Sequence, residues 1–381
     1  MPLTDFHVQG YRSVRDIWLK LHPVNVIIGP NGSGKSNLYR AIYLVHCAAA
    51  GQLSAALSEE GGIESALWAG PAKMHDKYPH QIALSLRIHE FEYNLVLGMC
   101  GKVSRPQTFT ADPEVKFEQV LRLDKGVKHK LLERHRASII LRNFDGEKID
   151  YSTRVPDNES VLSALRDPVS FPYLYKLRDE ILRWRFYQHF RTDFDSPIRL
   201  PHVGYMTPCL ADDGHNLASA LATISECGRA EELDQAIIEA FPGSKLHISA
   251  SRSMFRLSMS FSDSDRYFDA RELSDGTLQY LCLLAALLSR DPAPLIALNE
   301  PETSLHPRLM EPLARLLVNA SSDSQLWITT HSRELADAIL DMSGYDQLEL
   351  KKDRGQTKLV GVGLGGYKFE EEEEEEPESG T

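Results

Sequence analysis

Val24-Asn25-Val26-Ile27-Ile28-Gly29-Pro30-Asn31-Gly32-Ser33-Gly34-Lys35-Ser36-Asn37 is the stretch from which the rest of the chain can be read. Val24 to Ile28 is a short β-branched apolar run bounded by glycine, which predicts a buried strand. Gly29 to Gly34 is a glycine-rich break, and from Asn37 to Ala50 the apolar residues return at helical spacing. Between strand and helix, Gly29 to Ser36 satisfies G-x-x-x-x-G-K-[ST]. The chemistry of that pattern is phosphate binding. Its glycines let backbone N–H groups converge on phosphate oxygens, and the helix N-terminus adds a favourable dipole. Lys35 reaches the β- and γ-phosphates, and the Ser36 hydroxyl can ligate Mg²⁺. A glycine-rich turn with an incidental Lys-Ser is the competing reading, and the flanking strand and helix speak against it.

A phosphate loop alone names no machine. The last third of the chain carries three further elements. Pro294 to Leu298 is an apolar strand ending at Asn299-Glu300-Pro301-Glu302, where acidic groups stand to hold Mg²⁺ and activate water. Glu300 is the candidate base that orients the attacking water; its plainer role is an acidic N-cap. Leu326 to Thr329 is another buried strand, with the polar tip Thr330-His331-Ser332, from which His331 can donate to a γ-phosphate; alone it reads as an ordinary polar histidine. Between the loop and these strands, Arg271-Glu272-Leu273-Ser274-Asp275-Gly276-Thr277 opens an apolar helix that reaches Ser289. The Ser274 hydroxyl and Gly276 N–H form either a second anion-binding helix terminus or a plain N-cap.

The chain has 381 residues, long enough for one elaborated fold or two lobes. With 42% hydrophobic and 25% charged residues it is neither disordered nor collagen-like. The net charge of −12 argues against a protein that coats nucleic acid non-specifically. Eight of the negative charges sit in Glu370 to Glu376 and Glu378, so −12 becomes −4 once that low-complexity, solubilising tail is set aside. Five scattered cysteines suggest neither a disulfide framework nor a zinc knuckle and fit a reducing cytosol. The first residues lack a basic-then-apolar leader, and no apolar run approaches a bilayer span, so a soluble cytoplasmic protein is expected.

Taken together the elements resemble the ABC-type ATPases, in particular the RecF/SMC-like branch of stand-alone predicted AAA ATPases. VQGYRSVRDIWLKLHPVNVIIGPNGSGKSNL (residues 8–38) looks like that branch's opening and Walker A. LSDGT (273–277) resembles its signature, LNEPETSLHP (298–307) its Walker B and following loop, and TTHS (329–332) its switch histidine. LADDGHNLASAL (210–221) is also typical of these ATPases, without a chemistry that can be assigned. The resemblance covers roughly residues 1–50 and 200–335. It implies an α/β P-loop NTPase of the ABC-ATPase head type, a mixed sheet flanked by helices, with an antiparallel β-subdomain and an inserted helical lobe. The parts would be 1–80 with the phosphate loop, 81–160 β-rich, 161–265 helical insert and 266–368 with signature, Walker B and switch histidine, followed by the acidic tail at 369–381.

The resemblance also implies that ATP and Mg²⁺ are the cofactors. Gly29, Pro30, Asn31, Gly32, Ser33, Gly34, Lys35, Ser36 and Asn37 would hold ATP in cis, with Lys35 catalytic as well. Ser274 and Gly276 would touch the γ-phosphate of ATP on another subunit, in a head-to-tail homodimer whose seam includes Ser304 to Pro307. Glu300 would polarise water, His331 would sense the γ-phosphate, and Ser36 with Asn299 would hold Mg²⁺. Two departures stand out. Asn299 replaces the usual aspartate and loses a charge, which points to slow hydrolysis. Asp275 replaces a glycine near phosphate, so its side chain must point away or meet a neighbouring cation. The glutamine loop stays open among Gln52, Gln81 and Gln119.

Two basic stretches remain. LRWRFYQHFR (182–191) reads either as a grip on a nucleic-acid backbone with stacking aromatics, or as a core face with a solvated basic side, which is favoured. KGVKHKLLERHR (125–136) reads as a solvated loop and helix face or as a basic contact. About fifty residues follow His331, a predicted hairpin and the tail, too few for an appended nuclease domain. Three functions are carried forward. The first is a dimerising ATP-hydrolysing switch acting in DNA repair or defence against foreign DNA. The second is a nucleotide-gated scaffold with little turnover that works with a separate effector such as a nuclease. The third is a small-molecule kinase.

Overall fold

The computed structural model describes residues 3–70, 80–101, 109–143, 146–149 and 154–361. The acidic segment expected to be disordered lies outside the described residues. The chain opens with β1 (Leu3–Tyr11), β2 (Val14–Lys20), β3 (Val24–Ile28), α1 (Lys35–Ala50), α2 (Leu53–Glu59) and α3 (Ile63–Ala66). Next come β4 (Gln81–Ile88), β5 (Phe91–Met99), β6 (Pro113–Asp124), β7 (Val127–His135), β8 (Ser138–Arg142) and β9 (Lys148–Ile149). With β1 and β2 these form an eight-stranded antiparallel sheet in the order β2-β1-β4-β5-β6-β7-β8-β9.

Then follow α4 (Val161–Ala164), α5 (Pro172–Leu182), β10 (Arg185–Tyr187), β11 (His202–Val203), α6 (Leu217–Ile224) and α7 (Ala230–Ala240). The stretch expected to be a helical insert also carries β12 (Lys245–Ser251) and β13 (Met254–Ser260), which build a small antiparallel sheet with β11 and β14 (Tyr267–Asp269). The last third alternates: α8 (Asp275–Leu287), β15 (Leu295–Asn299), α9 (Met310–Ala320), β16 (Gln325–Thr330), α10 (Arg333–Ser343), and the hairpin β17 (Leu348–Asp353) and β18 (Gln356–Leu359). The central sheet runs β10-β15-β16-β3-β17-β18, parallel except for β18.

β3 is buried at all five positions, as a parallel strand covered on both faces must be. Ile27 joins the core formed with α1 and the inner face of the antiparallel sheet; Val24, Val26 and Ile28 point into a second core with α6, α8, α9 and α10. Each such aliphatic side chain contributes roughly 1.5–3 kcal/mol on leaving water. Asn25 sits in this apolar strand because its Nδ2 donates to the carbonyls of His22 (2.7 Å) and Leu326 (3.0 Å). Gln325 pins β1 to the sheet: its Oε1 accepts from the Leu3 N–H and its Nε2 donates to the Leu3 carbonyl, each at 2.8 Å. α8 is buried at every position from Thr277 to Leu287, as its nearly unbroken apolar sequence requires.

The two basic stretches differ: LRWRFYQHFR folds inward, while residues 125–129, 135 and 136 of KGVKHKLLERHR are exposed. Trp184, Phe186, Tyr187 and Phe190 of LRWRFYQHFR are buried, so no aromatic platform for bases forms there. Arg185 donates to Cys209 Sγ at 3.2 Å, and Arg191 pairs with Asp193 at 2.7 Å. KGVKHKLLERHR is a strand rather than a loop and helix. Lys125 and Gly126, at φ 48° and 83°, make the two-residue turn into β7, a hairpin signal that the helical reading overlooked. Its charges meet carboxylates of the same sheet: Lys128 with Glu92 at 2.8 Å, and Lys130 with Glu133.

Arg134 and Glu118, cross-strand neighbours on β7 and β6, are both fully buried. Glu118 Oε1 accepts from the Tyr93 hydroxyl (3.0 Å) and from Ser160 Oγ, and Oε2 accepts from the Val161 N–H (2.8 Å). Arg134 donates to the carbonyls of Pro156 (3.0 Å) and Glu159 (2.6 Å). Burial pushes the Glu118 carboxyl above the ordinary range, against the pull of these donors and of Arg134. Glu118→Ala strips the Tyr93 and Ser160 hydroxyls and the Val161 N–H of a buried acceptor and removes the negative charge nearest Arg134, so urea unfolding is expected to show a loss of about 3–5 kcal/mol. A loss under about 1 kcal/mol contradicts that role of Glu118.

Candidate nucleotide site

The loop after β3 is held open by its glycines and backed by the C-terminal hairpin. Gly34 has φ 109°, and a Cβ there would lie 2.1 Å from Thr357 Oγ1, so only glycine fits. Thr357 is fully buried and donates to the Ser33 carbonyl at 2.8 Å. Its oxygen lies 2.7 Å from Ser13 Oγ, which accepts from Asn37 Nδ2, also at 2.7 Å. Because Thr357 has one proton and spends it on Ser33, the relay runs Asn37 to Ser13 to Thr357 to Ser33. Asn37, expected among the nucleotide contacts, thus uses its amide nitrogen to brace the loop. Asn31, Gly32 and Ser36 face solvent.

Lys35 is buried and bends back, its Nζ donating to the carbonyls of Gly29 (2.7 Å) and Pro30 (3.3 Å). These carbonyls occupy the donor positions that phosphate oxygens would take. Burial holds the ammonium below the usual lysine range, while Glu300 and Glu302 pull it back up. The Lys35, Glu300, Glu302 and His331 side chains are therefore one electrostatic cluster at the carboxyl edge of the parallel sheet.

Glu300 follows the end of β15 in a left-handed conformation, φ 49°, with its N–H donating to the Thr329 carbonyl at 2.7 Å. His331 Nδ1 lies 3.7 Å from Glu300 Oε1 and 3.4 Å from Glu302 Oε1. The Asn299 Oδ1 accepts from Thr329 Oγ1 at 2.7 Å, tying the ends of β15 and β16 together. Glu302, to which sequence reasoning gave no role, is the most constrained member. Its Oε1 accepts from the Thr330 hydroxyl (2.5 Å) and from the backbone N–H groups of His331 (3.2 Å) and Ser332 (3.3 Å), while Oε2 is buried without a hydrogen-bond partner. The carboxylate so close to Glu300 in Asn-Glu-Pro-Glu was the available signal.

Ser274 and Gly276 stand at the start of α8, whose apolar side chains belong to the second core. Ser274 Oγ accepts from the Thr277 N–H at 3.1 Å and caps the helix, the plainer of its two roles, and its side is exposed. A Cβ on Gly276 would lie 2.5 Å from the Ser304 carbonyl, so Glu300 to Ser304 runs from the Lys35 cluster to the signature in five residues. Asp275 does meet a cation: Arg199 Nη2 donates to its Oδ1 at 2.6 Å. The LADDGHNLASAL segment has a physical role as well, since buried Asn216 accepts from the Ala211 N–H (2.8 Å) and donates to the Cys209 carbonyl (3.3 Å), folding the turn onto α6.

The donor set fits a polyphosphate with a divalent cation. An ammonium whose partners are exchangeable carbonyls and the buried, unpartnered Ser33 hydroxyl suit phosphate; the Ser36 hydroxyl and the carboxylates at the strand ends suit the cation.

Comparison with known proteins agrees. The sequence family described as "AAA domain, putative AbiEii toxin, Type IV TA system" matches residues 128–337, more than half of the chain, and the family described as "AAA ATPase domain" matches residues 1–77. The fold is similar to that of an SMC head bound to the C-terminal winged-helix domain of ScpA, with a TM-score of 0.51 and 14% identity over 94% of this chain and 98% of that one. It is similar too to the Smc head with an extended coiled coil bound to the C-terminal domain of ScpA from Pyrococcus furiosus, with a TM-score of 0.50 and 14% identity over 94% and 95%. No curated protein matches the chain. No helix among the described residues is long and apolar enough to cross a membrane. The chain belongs to the AAA-domain family whose model matches residues 128–337, and its fold is that of an SMC head.

Proposed function

We propose that this chain binds Mg²⁺·ATP in the loop Gly29 to Ser36, hydrolyses it, and uses the cycle to close and open a head-to-tail pair of copies. The observation that supports this reading is the gathering of Lys35, Glu300, Glu302 and His331 at one strand edge, with the loop from Glu300 to Ser304 leading from it to Gly276 at the start of α8. In this reading the Ser274 hydroxyl and the Gly276 N–H serve a second copy's nucleotide. One ATPase head over residues 1–368 accommodates both surfaces.

Within a copy, Lys35 leaves the Gly29 and Pro30 carbonyls for the β- and γ-phosphates. Glu300 takes a proton from the attacking water and aligns it. His331, whose Nδ1 lies 3.7 Å from Glu300 Oε1 and 3.4 Å from Glu302 Oε1, offers a ring N–H to the γ-phosphate. Ser36 and Asn299 would hold a magnesium ion, which neutralises phosphate charge when bound. From Ser274 and Gly276 the second copy supplies a hydroxyl and an N–H to the same phosphate. Turnover is slow in this reading, because Asn299 is neutral and its Oδ1 already accepts from Thr329.

The same observation favours a second reading, a nucleotide-gated scaffold that closes on ATP with little hydrolysis and passes the change to a separate effector. For either reading, a role in defence against foreign DNA or in repair draws support from the toxin–antitoxin wording of the matched family and from the SMC-head likeness. LRWRFYQHFR does not support direct nucleic-acid stacking, since its aromatics are core residues.

Steady-state phosphate release is expected to fall by about 10²–10³-fold in Lys35→Ala and about 10²–10⁴-fold in Glu300→Gln. If wild type and both variants are equally inactive while ATP still drives dimerisation, the scaffold reading holds. Ser274→Arg is expected to abolish ATP-dependent dimers and stimulated turnover while leaving ATP binding by the monomer intact. Normal turnover in that variant supports a kinase acting through the same loop and removes the shared site. Gly34→Ala is expected to abolish nucleotide binding, measured by fluorescence titration, and to lower the melting temperature, because the new Cβ displaces Thr357 from the loop. Unchanged affinity contradicts the backing role of the hairpin.

A further inference from the structure

Arg199 is a buried arginine that no motif marks. Its Nε donates to the carbonyls of Thr192 (2.9 Å) and Asp193 (3.1 Å). Its Nη1 donates to the carbonyls of Ala270 (3.0 Å), Arg271 (3.2 Å) and Leu273 (2.7 Å), and its Nη2 meets Asp275 Oδ1. Three carbonyls curl around one nitrogen, so the guanidinium sets the curvature of residues 270–273 immediately before Ser274. All three nitrogens of the fork are engaged, a pattern that an ammonium cannot reproduce.

The charge balance at this place is unusual. Asp275 is largely exposed and sits in the first turn of α8, where its carboxylate stabilises the helix dipole. The same carboxylate beside Ser274 and Gly276 would repel an incoming triphosphate. Arg199, buried behind it, is the opposite charge in contact with it.

We propose that Arg199 is the positioning residue of the signature segment: it shapes residues 270–275 and cancels the charge of Asp275, so that Ser274 and Gly276 meet a second copy's nucleotide as a neutral donor surface. This rests on the head-to-tail reading above. It also ties Thr192 and Asp193 to the signature segment.

The test uses the full-length chain in the Glu300→Gln background, with dimer formation followed by light scattering across an ATP titration and monomer affinity followed with a fluorescent ATP analogue at low protein concentration. Arg199→Met is expected to raise the ATP needed for half-maximal dimerisation by about tenfold or more, with monomer affinity unchanged, since one uncompensated charge near phosphate is worth about that much. Adding Asp275→Gly is expected to recover the part of the loss that comes from the uncancelled charge, which a purely structural role of Arg199 does not allow. Asp275→Asn alone keeps the acceptor for Nη2, leaves the Arg199 charge uncancelled beside the incoming phosphate and is expected to lower the ATP requirement; it decides the matter if Arg199→Met does not fold. Dimerisation of Arg199→Met like its parent, failure of Asp275→Gly to restore it, or a higher ATP requirement in Asp275→Asn each overturns the assignment. A parent that stays monomeric at saturating ATP removes the head-to-tail reading, and this inference with it.

Discussion

Burial of β3 on both faces is the constraint from which the rest follows. A five-residue strand sealed between two hydrophobic cores can offer polar groups only at its ends, and the same holds for β15 and β16 beside it. Parallel pairing carries all three carboxyl ends to one edge. The glycine loop, Asn299 with Glu300, and Thr330 with His331 therefore meet there without any long-range device beyond the sheet itself. The edge is costly to build. Glu300 and Ser304 hold left-handed backbone that L-residues avoid, at about 1–3 kcal/mol each, and Glu302 keeps a carboxylate oxygen buried without a partner. Such costs persist where geometry, rather than stability, is what the residues provide.

Negative charge is distributed with a consistent logic. Where a carboxylate is buried for structure, at Glu118, a buried arginine and several donors answer it. Glu302 instead collects three donors on one oxygen, fixing the backbone of the switch turn to the loop that carries Glu300. Asp275 is answered by Arg199. Asn299 spends its oxygen on Thr329 and brings no charge. The loop from Glu300 to Ser304 joins these two kinds of site, since one end lies among the Lys35 cluster and the other supports Gly276.

Much of this was readable from residues alone, and the failures have physical causes. The phosphate loop, the two strand ends and the helix opened by Ser274 were legible because each combines a short apolar run with residue types that polar edges require. The expectation that Asp275 needs a cation follows from charge alone, and the structure supplies Arg199. The identity of that cation was not legible, because it comes from 76 residues earlier in a loop without periodicity. Thr357 was hidden for a similar reason, being 324 residues from the Ser33 carbonyl it supports. The helical reading of 125–136 gave weight to basic residues and overlooked the two-residue Lys125-Gly126 turn. In LRWRFYQHFR the favoured core reading was right, because a strand of a sheet covered on both faces buries Phe186 in one core and Tyr187 in the other whatever charges lie beside them.

The central claim is that one nucleotide is held by two separate surfaces, the loop of one copy and the signature of another. Hydrogen–deuterium exchange of the Glu300→Gln chain, with and without Mg²⁺·ATP and at concentrations spanning dimer formation, tests it most directly. Protection of residues 29–36 at all concentrations, joined by protection of residues 271–277 only as dimers form, is the predicted result. Protection confined to residues 29–36 at every concentration, with 271–277 exchanging as in the nucleotide-free chain, would contradict it.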